Sequence, residues 1–152
     1  MTDPHARLAE LGLELPPVSA PLAAYVPAVR SGNHVYVSGQ LPLVDGKLLA
    51  TGKVGADVDP EQATDLARRC ALNALAAIDA LVGLGQVVRV VKLVGFVASA
   101  EGFTGQPGVV NGASDLFGEV FGAAGRHARS AVGVAELPLG APVEVEVIVE
   151  VR

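Results

Sequence analysis

The chain is poor in the residues that most small proteins use to staple or anchor themselves. It has one cysteine, no tryptophan, two tyrosines and four phenylalanines in 152 residues. A lone Cys70 excludes an intramolecular disulfide and a zinc site built on cysteines. Its place among Ala and Leu on a predicted helix face reads as a buried, inert thiol. With so few aromatics, the core must be assembled from Val, Leu and Ala. Charge is scarce too, at 18% of residues, and acids outnumber bases 16 to 11, for a net charge of -5. That balance leaves no broad basic face for counterion-release binding, so no nucleic-acid partner is expected. No apolar run reaches the ~20 residues that span a bilayer, so no membrane partner is expected either. The opening Met1-Thr2-Asp3-Pro4-His5 lacks the charged-then-apolar pattern of a signal peptide, and a cytoplasmic location is expected.

Familiar chemical motifs are also missing. No GxGxxG follows a strand, and there is neither a phosphate-binding loop of the GxxxxGK type nor an HExxH. His5, His34 and His127 are scattered without metal-ligand spacing, so neither a metal nor an organic cofactor is expected. Ser38 is not a nucleophile elbow, because no glycine precedes it by two.

Apolar residues, by contrast, make up 51% of the chain. That is rich for a monomer of this size and points to apolar surface hidden between subunits. The length suits a single domain over 1–152. A short amphipathic helix is expected over 5–14, ended by Pro16 and Pro17. Strands over 22–30 and 35–38, separated by Gly32-Asn33, read as an antiparallel hairpin. A loop-rich stretch over 39–58 has room for a short strand near 47–50. The clearest element is a helix over 60–82. Asp59 can cap it, Pro60 suits its first position, and Gly83 and Gly85 stop it. Leu66, Cys70, Ala74, Ile78 and Leu81 recur at helical spacing, with Asp65, Arg68, Arg69 and Asn73 opposite. A β-prone run over 87–99 follows, then a helix over about 107–122 whose Gly112 and Gly118 would let it lie close to a sheet. A strand over 130–136 precedes the last, 143–151, in which every odd position is Val. One face of that strand is wholly apolar; the other carries Glu144, Glu146, Ile148 and Glu150. The order ββ-α-β-α-ββ predicts an α+β domain, with two helices covering one face of a mixed sheet. Ile148 on the second face points to a subunit boundary there, unless that face is simply exposed.

Two features carry chemistry. Arg126-His127-Ala128-Arg129-Ser130 leads into an otherwise apolar strand, and an arginine at a strand mouth offers a planar fork matched to a carboxylate. The same arginine could instead pair with a terminal-strand glutamate. Arg126 reads as a surface residue and His127 as a solvated or capping one. Glu144 and Glu146 share a strand face roughly 7 Å apart, so they either face water or meet cations.

The segment from Arg129-Ser130-Ala131 through Glu136-Leu137-Pro138 to Glu144-Val145-Glu146 resembles the C-terminal signature of the RidA/YjgF family, formerly named endoribonuclease L-PSP. Tyr25, Val37-Ser38-Gly39-Gln40-Leu41-Pro42 and Val110-Asn111-Gly112 agree in order, and the likeness runs from about residue 20 to the end. Residues 1–20 then form an N-terminal extension. The resemblance implies a chorismate-mutase-like fold and a homotrimer with sites in the clefts between subunits. It implies that Arg129 binds a substrate carboxylate, that Tyr25, Ser38, Gly39 and Asn111 line the cleft, and that Glu144 helps activate water. The implied activity is hydrolysis of imines and enamines such as 2-aminoacrylate to 2-oxo acids and ammonia. Ala131 departs from the Cys or Thr that members often carry there, and the pattern resembles a divergent subgroup. A trimer that binds small carboxylates without turnover is the alternative. Ribonuclease activity is disfavoured by the acidic balance and the scarcity of aromatics for base stacking.

Overall fold

The computed structural model describes residues 2–18 and 23–152. Its frame is a five-stranded sheet in the order β1-β2-β7-β5-β6. The strands are β1 (Ala28–Ser31), β2 (His34–Gln40), β5 (Val87–Ala98), β6 (Ala128–Val134) and β7 (Val143–Val151). Only β5 and β6 run parallel; the other neighbours are antiparallel, so the sheet is mixed. Two further strands, β3 (Leu43–Val44) and β4 (Lys47–Leu48), form a small separate hairpin.

The core follows from β7. Val143, Val145, Val147, Val149 and Val151 are all buried. Beside them on the same face lie Val35 and Val37 of β2 and Leu93 and Val97 of β5. Helices α2 (Pro60–Val82) and α3 (Gln106–Phe121) cover this face. The Asp59 carboxylate accepts from the Gln62 amide at 2.9 Å, Pro60 opens α2, and Gly83 ends it. Leu66, Cys70, Ala74 and Ile78 are buried as their spacing predicts, whereas Leu81 at the last turn is exposed.

Two expectations are corrected. The first helix, α1, is Pro4–Glu10 rather than 5–14, because the chain turns at Leu11 and Gly12. It is a third helix of the fold, docked on α3 through buried Leu8 and an Arg7 Nε bond of 3.0 Å to the Glu119 carbonyl. The first strand begins at Ala28 instead of 22; Pro27 cannot donate to a ladder, and residue 22 lies outside the described residues. Arg68, Arg69 and Asn73, opposite the apolar spacing of α2, each find a partner. Arg68 pairs with Glu119 of α3 at 2.7 Å. Arg69 Nε donates to the Leu43 carbonyl at 3.0 Å, and Asn73 Nδ2 donates to the Leu41 and Leu43 carbonyls at 3.0 and 3.1 Å. One face of α2 therefore holds the loop after β2 in place.

Gly112 serves a different partner from the one its sequence context suggests. A Cβ there would overlap the backbone carbonyl of Thr64, so this glycine lets α3 pack against the main chain of α2. Among the described residues no helix lies on the opposite sheet face. Val29, Tyr36 and Val132 are exposed there, and Val94, Phe96 and Ile148 are half-buried. No helix among the described residues is long and apolar enough to cross a membrane.

Because Thr64 is main chain and cannot swing aside, Gly112→Ala should force the two helices apart. We expect a loss of about 1–3 kcal/mol in chemical unfolding. Gly118→Ala, where nothing lies within 4 Å of an added Cβ, serves as the control and should be neutral or stabilising.

Candidate functional site

Arg129 is the second residue of β6, in register with buried Leu93, so its side chain lies on the helix-covered face of the sheet beside α3. Its Nη1 donates to Asn111 Oδ1 at 2.7 Å and to Ser114 Oγ at 3.1 Å; Nη2 donates to the Pro107 carbonyl at 3.4 Å. All three acceptors are neutral. No carboxylate lies within 4 Å of the guanidinium among the described residues, so the ion pair with a terminal-strand glutamate is not formed. A positive charge held in one orientation without a counterion is ready for an external anion.

The support extends one shell further. His127 Nδ1 lies 2.7 Å from the Gly125 carbonyl, and its Nε2 lies 2.9 Å from Ser114 Oγ. A carbonyl only accepts, so this bonding pattern puts the imidazole proton on Nδ1. Nε2 then accepts from the Ser114 hydroxyl, whose oxygen accepts from Arg129. Phe117 holds the ring edge-on at 6.0 Å. His127 is half-buried: it caps the carbonyl of Gly125 at the end of the 122–125 turn, and it orients the serine that orients the arginine. Sequence reading missed Ser114, although its i+3 spacing from Asn111 on α3 was visible. Arg126 is exposed and makes no ion pair among the described residues.

A second group lies elsewhere on the sheet. Ser38 Oγ donates to the Val26 carbonyl at 2.6 Å and Ser38 N donates to the Pro27 carbonyl at 2.8 Å, which ties the Tyr25–Pro27 segment to β2. The register between β2 and β7 shifts between Val37 and Gln40, and Gly39 sits in that irregularity. A Cβ on Gly39 would overlap Glu144 Oε1 and lie 3.0 Å from Glu144 Cδ, so glycine makes room for the carboxyl. Glu144 is half-buried. Burial raises its pKa above the ordinary carboxylate range, and the neighbouring Glu146 charge raises it further. Tyr25, Ser38 and Gly39 border a cavity of about 550 Å³.

These two groups do not meet within one chain. Gly39 is on β2 and Arg129 on β6, with β7 and β5 between them. At ~4.8 Å per strand that is roughly 14 Å. Glu144, in register with Phe96, is moreover on the face opposite Arg129. Ala131, two residues beyond Arg129, packs against the core.

The profile of a family described as "YjgF/chorismate mutase-like, putative endoribonuclease" matches residues 5–151. The chain belongs to the YjgF family. It is 49% identical to Protein TCP17 of Trypanosoma cruzi over 149 residues, covering 97% of this chain and 93% of that protein. It is 31% identical to a 2-iminobutanoate/2-iminopropanoate deaminase of Dermatophagoides farinae over 141 residues, covering 92% and 95%. The crystal structure of Atu1372 from Agrobacterium tumefaciens, a protein with unknown function, superposes with a TM-score of 0.92 at 50% identity, covering 98% of this chain and 92% of that one. The YjgF-like, chorismate-mutase-like fold expected from the sequence is therefore the one observed.

Cys70 is fully buried, its Sγ 3.8 Å from the Val143 carbonyl, and burial raises its pKa well above the usual thiol value, with the Glu144 charge adding to the effect. It is an inert thiol. Among the described residues no cluster of three or more His, Cys, Asp or Glu could hold a metal ion.

Two outcomes follow. Ser114→Ala removes one acceptor from Arg129 and the donor to His127; stability in chemical unfolding should fall by about 0.5–1.5 kcal/mol. Glu144 has a raised pKa in the folded chain, so in the window upward from its ordinary value of about 4.3 the folded state binds more protons than the unfolded. Its stabilising contribution is complete below that window and is lost as pH rises through it. Unfolding midpoints of Glu144→Gln, compared with wild type at fixed protein concentration, should lack this loss and should be higher at neutral pH.

Proposed function

We propose that this YjgF-family protein hydrolyses imines and enamines of small 2-amino acids to 2-oxo acids and ammonia, in sites shared between protomers of a trimer. The observation that carries the reading is the uncompensated guanidinium of Arg129, fixed by neutral acceptors only. The similarity to the mite deaminase supports the substrate class. The uncovered sheet face, with exposed Val29, Tyr36 and Val132, supports burial against other copies of the chain.

In this scheme a neighbouring protomer brings its Arg129 and Asn111 to the cavity bordered by Tyr25, Ser38 and Gly39. The arginine fork grips the substrate carboxylate, which fixes the orientation of the adjacent imine carbon. Glu144 accepts a proton from a water as the water oxygen bonds to that carbon. Its raised pKa suits this task better than that of an exposed glutamate. The resulting carbinolamine collapses: the nitrogen receives that proton from Glu144, the C–N bond breaks to release ammonia, and the hydroxyl gives its proton to the Glu144 carboxylate as its oxygen becomes the ketone of the 2-oxo acid. A protonated imine is already electrophilic, so orientation and one proton relay suffice.

Arg129→Ala and Glu144→Gln should each lose ammonia release from 2-aminoacrylate generated in situ. When the two inactive variants are mixed in equal amounts and reassembled, about one quarter of the sites should draw both intact halves from different chains, and activity should return to that level. No recovery would place the whole site within one chain and sink the composite arrangement. Calorimetric binding of 2-oxobutyrate with no turnover of any imine would favour the non-catalytic binding reading.

A further inference from the structure

The cavity is larger than a three-carbon imine needs. Its volume of about 550 Å³ lies in the range, about 300–1,000 Å³, of clefts that enclose drug-sized ligands. It runs from Tyr25 and Ser38 to the β3–β4 hairpin and to Pro16 and Val18 of the N-terminal segment. Most of its wall is apolar: Pro16, Tyr25, Pro27, Leu41, Leu43 and Leu139. Leu139 is 74% exposed and sits at φ 61°, an unusual conformation for a leucine. An exposed leucine held in that conformation beside a cavity is placed to cover something apolar inside it.

Among the described residues one cation lines this space, Arg69. Arg69 on α2 uses Nε to hold the Leu43 carbonyl, and Asn73 one turn later holds the same carbonyl and that of Leu41, so the guanidinium and the loop are mutually fixed. The two terminal nitrogens of Arg69 have no acceptor, and no carboxylate lies within 4 Å of it, among the described residues. Its neighbour Arg68, by contrast, is paired with Glu119 at 2.7 Å. Asp45, the one acid lining the cavity, is exposed on the turn between β3 and β4 and makes no ion pair with Arg69. A half-buried guanidinium without a counterion, at the side of an apolar cleft, is costly unless an anion reaches it.

We propose that Arg69 is a second anion anchor, and that the preferred substrates are dicarboxylic 2-imino acids: one carboxylate on Arg129, a methylene chain along the apolar wall, and the distal carboxylate on Arg69. This rests on the site proposed above and extends its substrate class.

Stable 2-oxo acids, the expected products, test it without relying on turnover. Calorimetry on the protein would compare two matched pairs, 2-oxoglutarate with 2-oxopentanoate and 2-oxoadipate with 2-oxohexanoate. The distal carboxylate should tighten binding about tenfold in at least one pair. Arg69→Gln should erase that preference while leaving the monocarboxylates unchanged, and Arg69→Lys, which keeps the charge, should retain part of it. Equal affinities within both wild-type pairs, or a preference that survives Arg69→Gln, would overturn the anchor and leave the Arg129 site standing. Loss of monocarboxylate binding in both Arg69 variants would make the residue a loop support and also overturn it. If no 2-oxo acid binds the wild type at all, the proposed function falls first and the anchor with it.

Discussion

The structure depends on the five alternating valines of β7. They need a dry face, and only the helix-covered side of the sheet offers one. Burying them sends Glu144, Glu146, Ile148 and Glu150 to the other side, because side chains alternate along a strand. β7 is the middle strand of the five, with β2 and β5 on its flanks. The orientation of this one strand therefore sets the faces of its neighbours through register. Leu93 and Val97 go inward with the valines, Phe96 and Val94 go outward. The same constraint sets Glu144 against Gly39 and raises its pKa. It also leaves an outer face too apolar for bulk water and too acidic to form a core.

Helix packing decides what becomes of the arginine. Gly112 lets α3 approach the backbone of α2 at Thr64, and α3 then presents Asn111 and Ser114 to the edge strand β6. A guanidinium supported by an amide oxygen, a hydroxyl and a carbonyl keeps its full charge. Had a glutamate taken that place, the arginine would be a structural ion pair with little left for a ligand. The His127–Ser114 relay supports the arginine without a counter-charge. Arg69 repeats this device on α2: one hydrogen bond, from Nε to the Leu43 carbonyl, holds the guanidinium, and it makes no ion pair among the described residues.

Much of the fold was legible because its signals are local. The Asp59-Pro60 start, the glycine stop and the 3.6-residue spacing marked α2, and strict alternation marked β7. The weaker boundaries failed for local reasons as well. Gly12 cut α1 short, and Pro27 delayed β1 until Ala28. The site was legible only in part. Arg129, Glu144, Ser38, Gly39, Tyr25 and Asn111 stand out as residues, but no spacing in the chain says that two strands separate the strand of Arg129 from that of Gly39. Ser114 went unnoticed and Arg69 was placed only on the polar side of α2, because their partners lie far away in sequence.

By itself the sequence determined the elements, the inward face of each strand and the family signature, since these rest on periodicity, capping and turn chemistry within a few residues. Only the tertiary structure decided which charges are left unpaired. It placed neutral acceptors around Arg129, set Arg69 at a cavity wall, and pressed Glu144 against a glycine. Electrostatic environment depends on distance through space and on burial, and neither can be read from order along the chain.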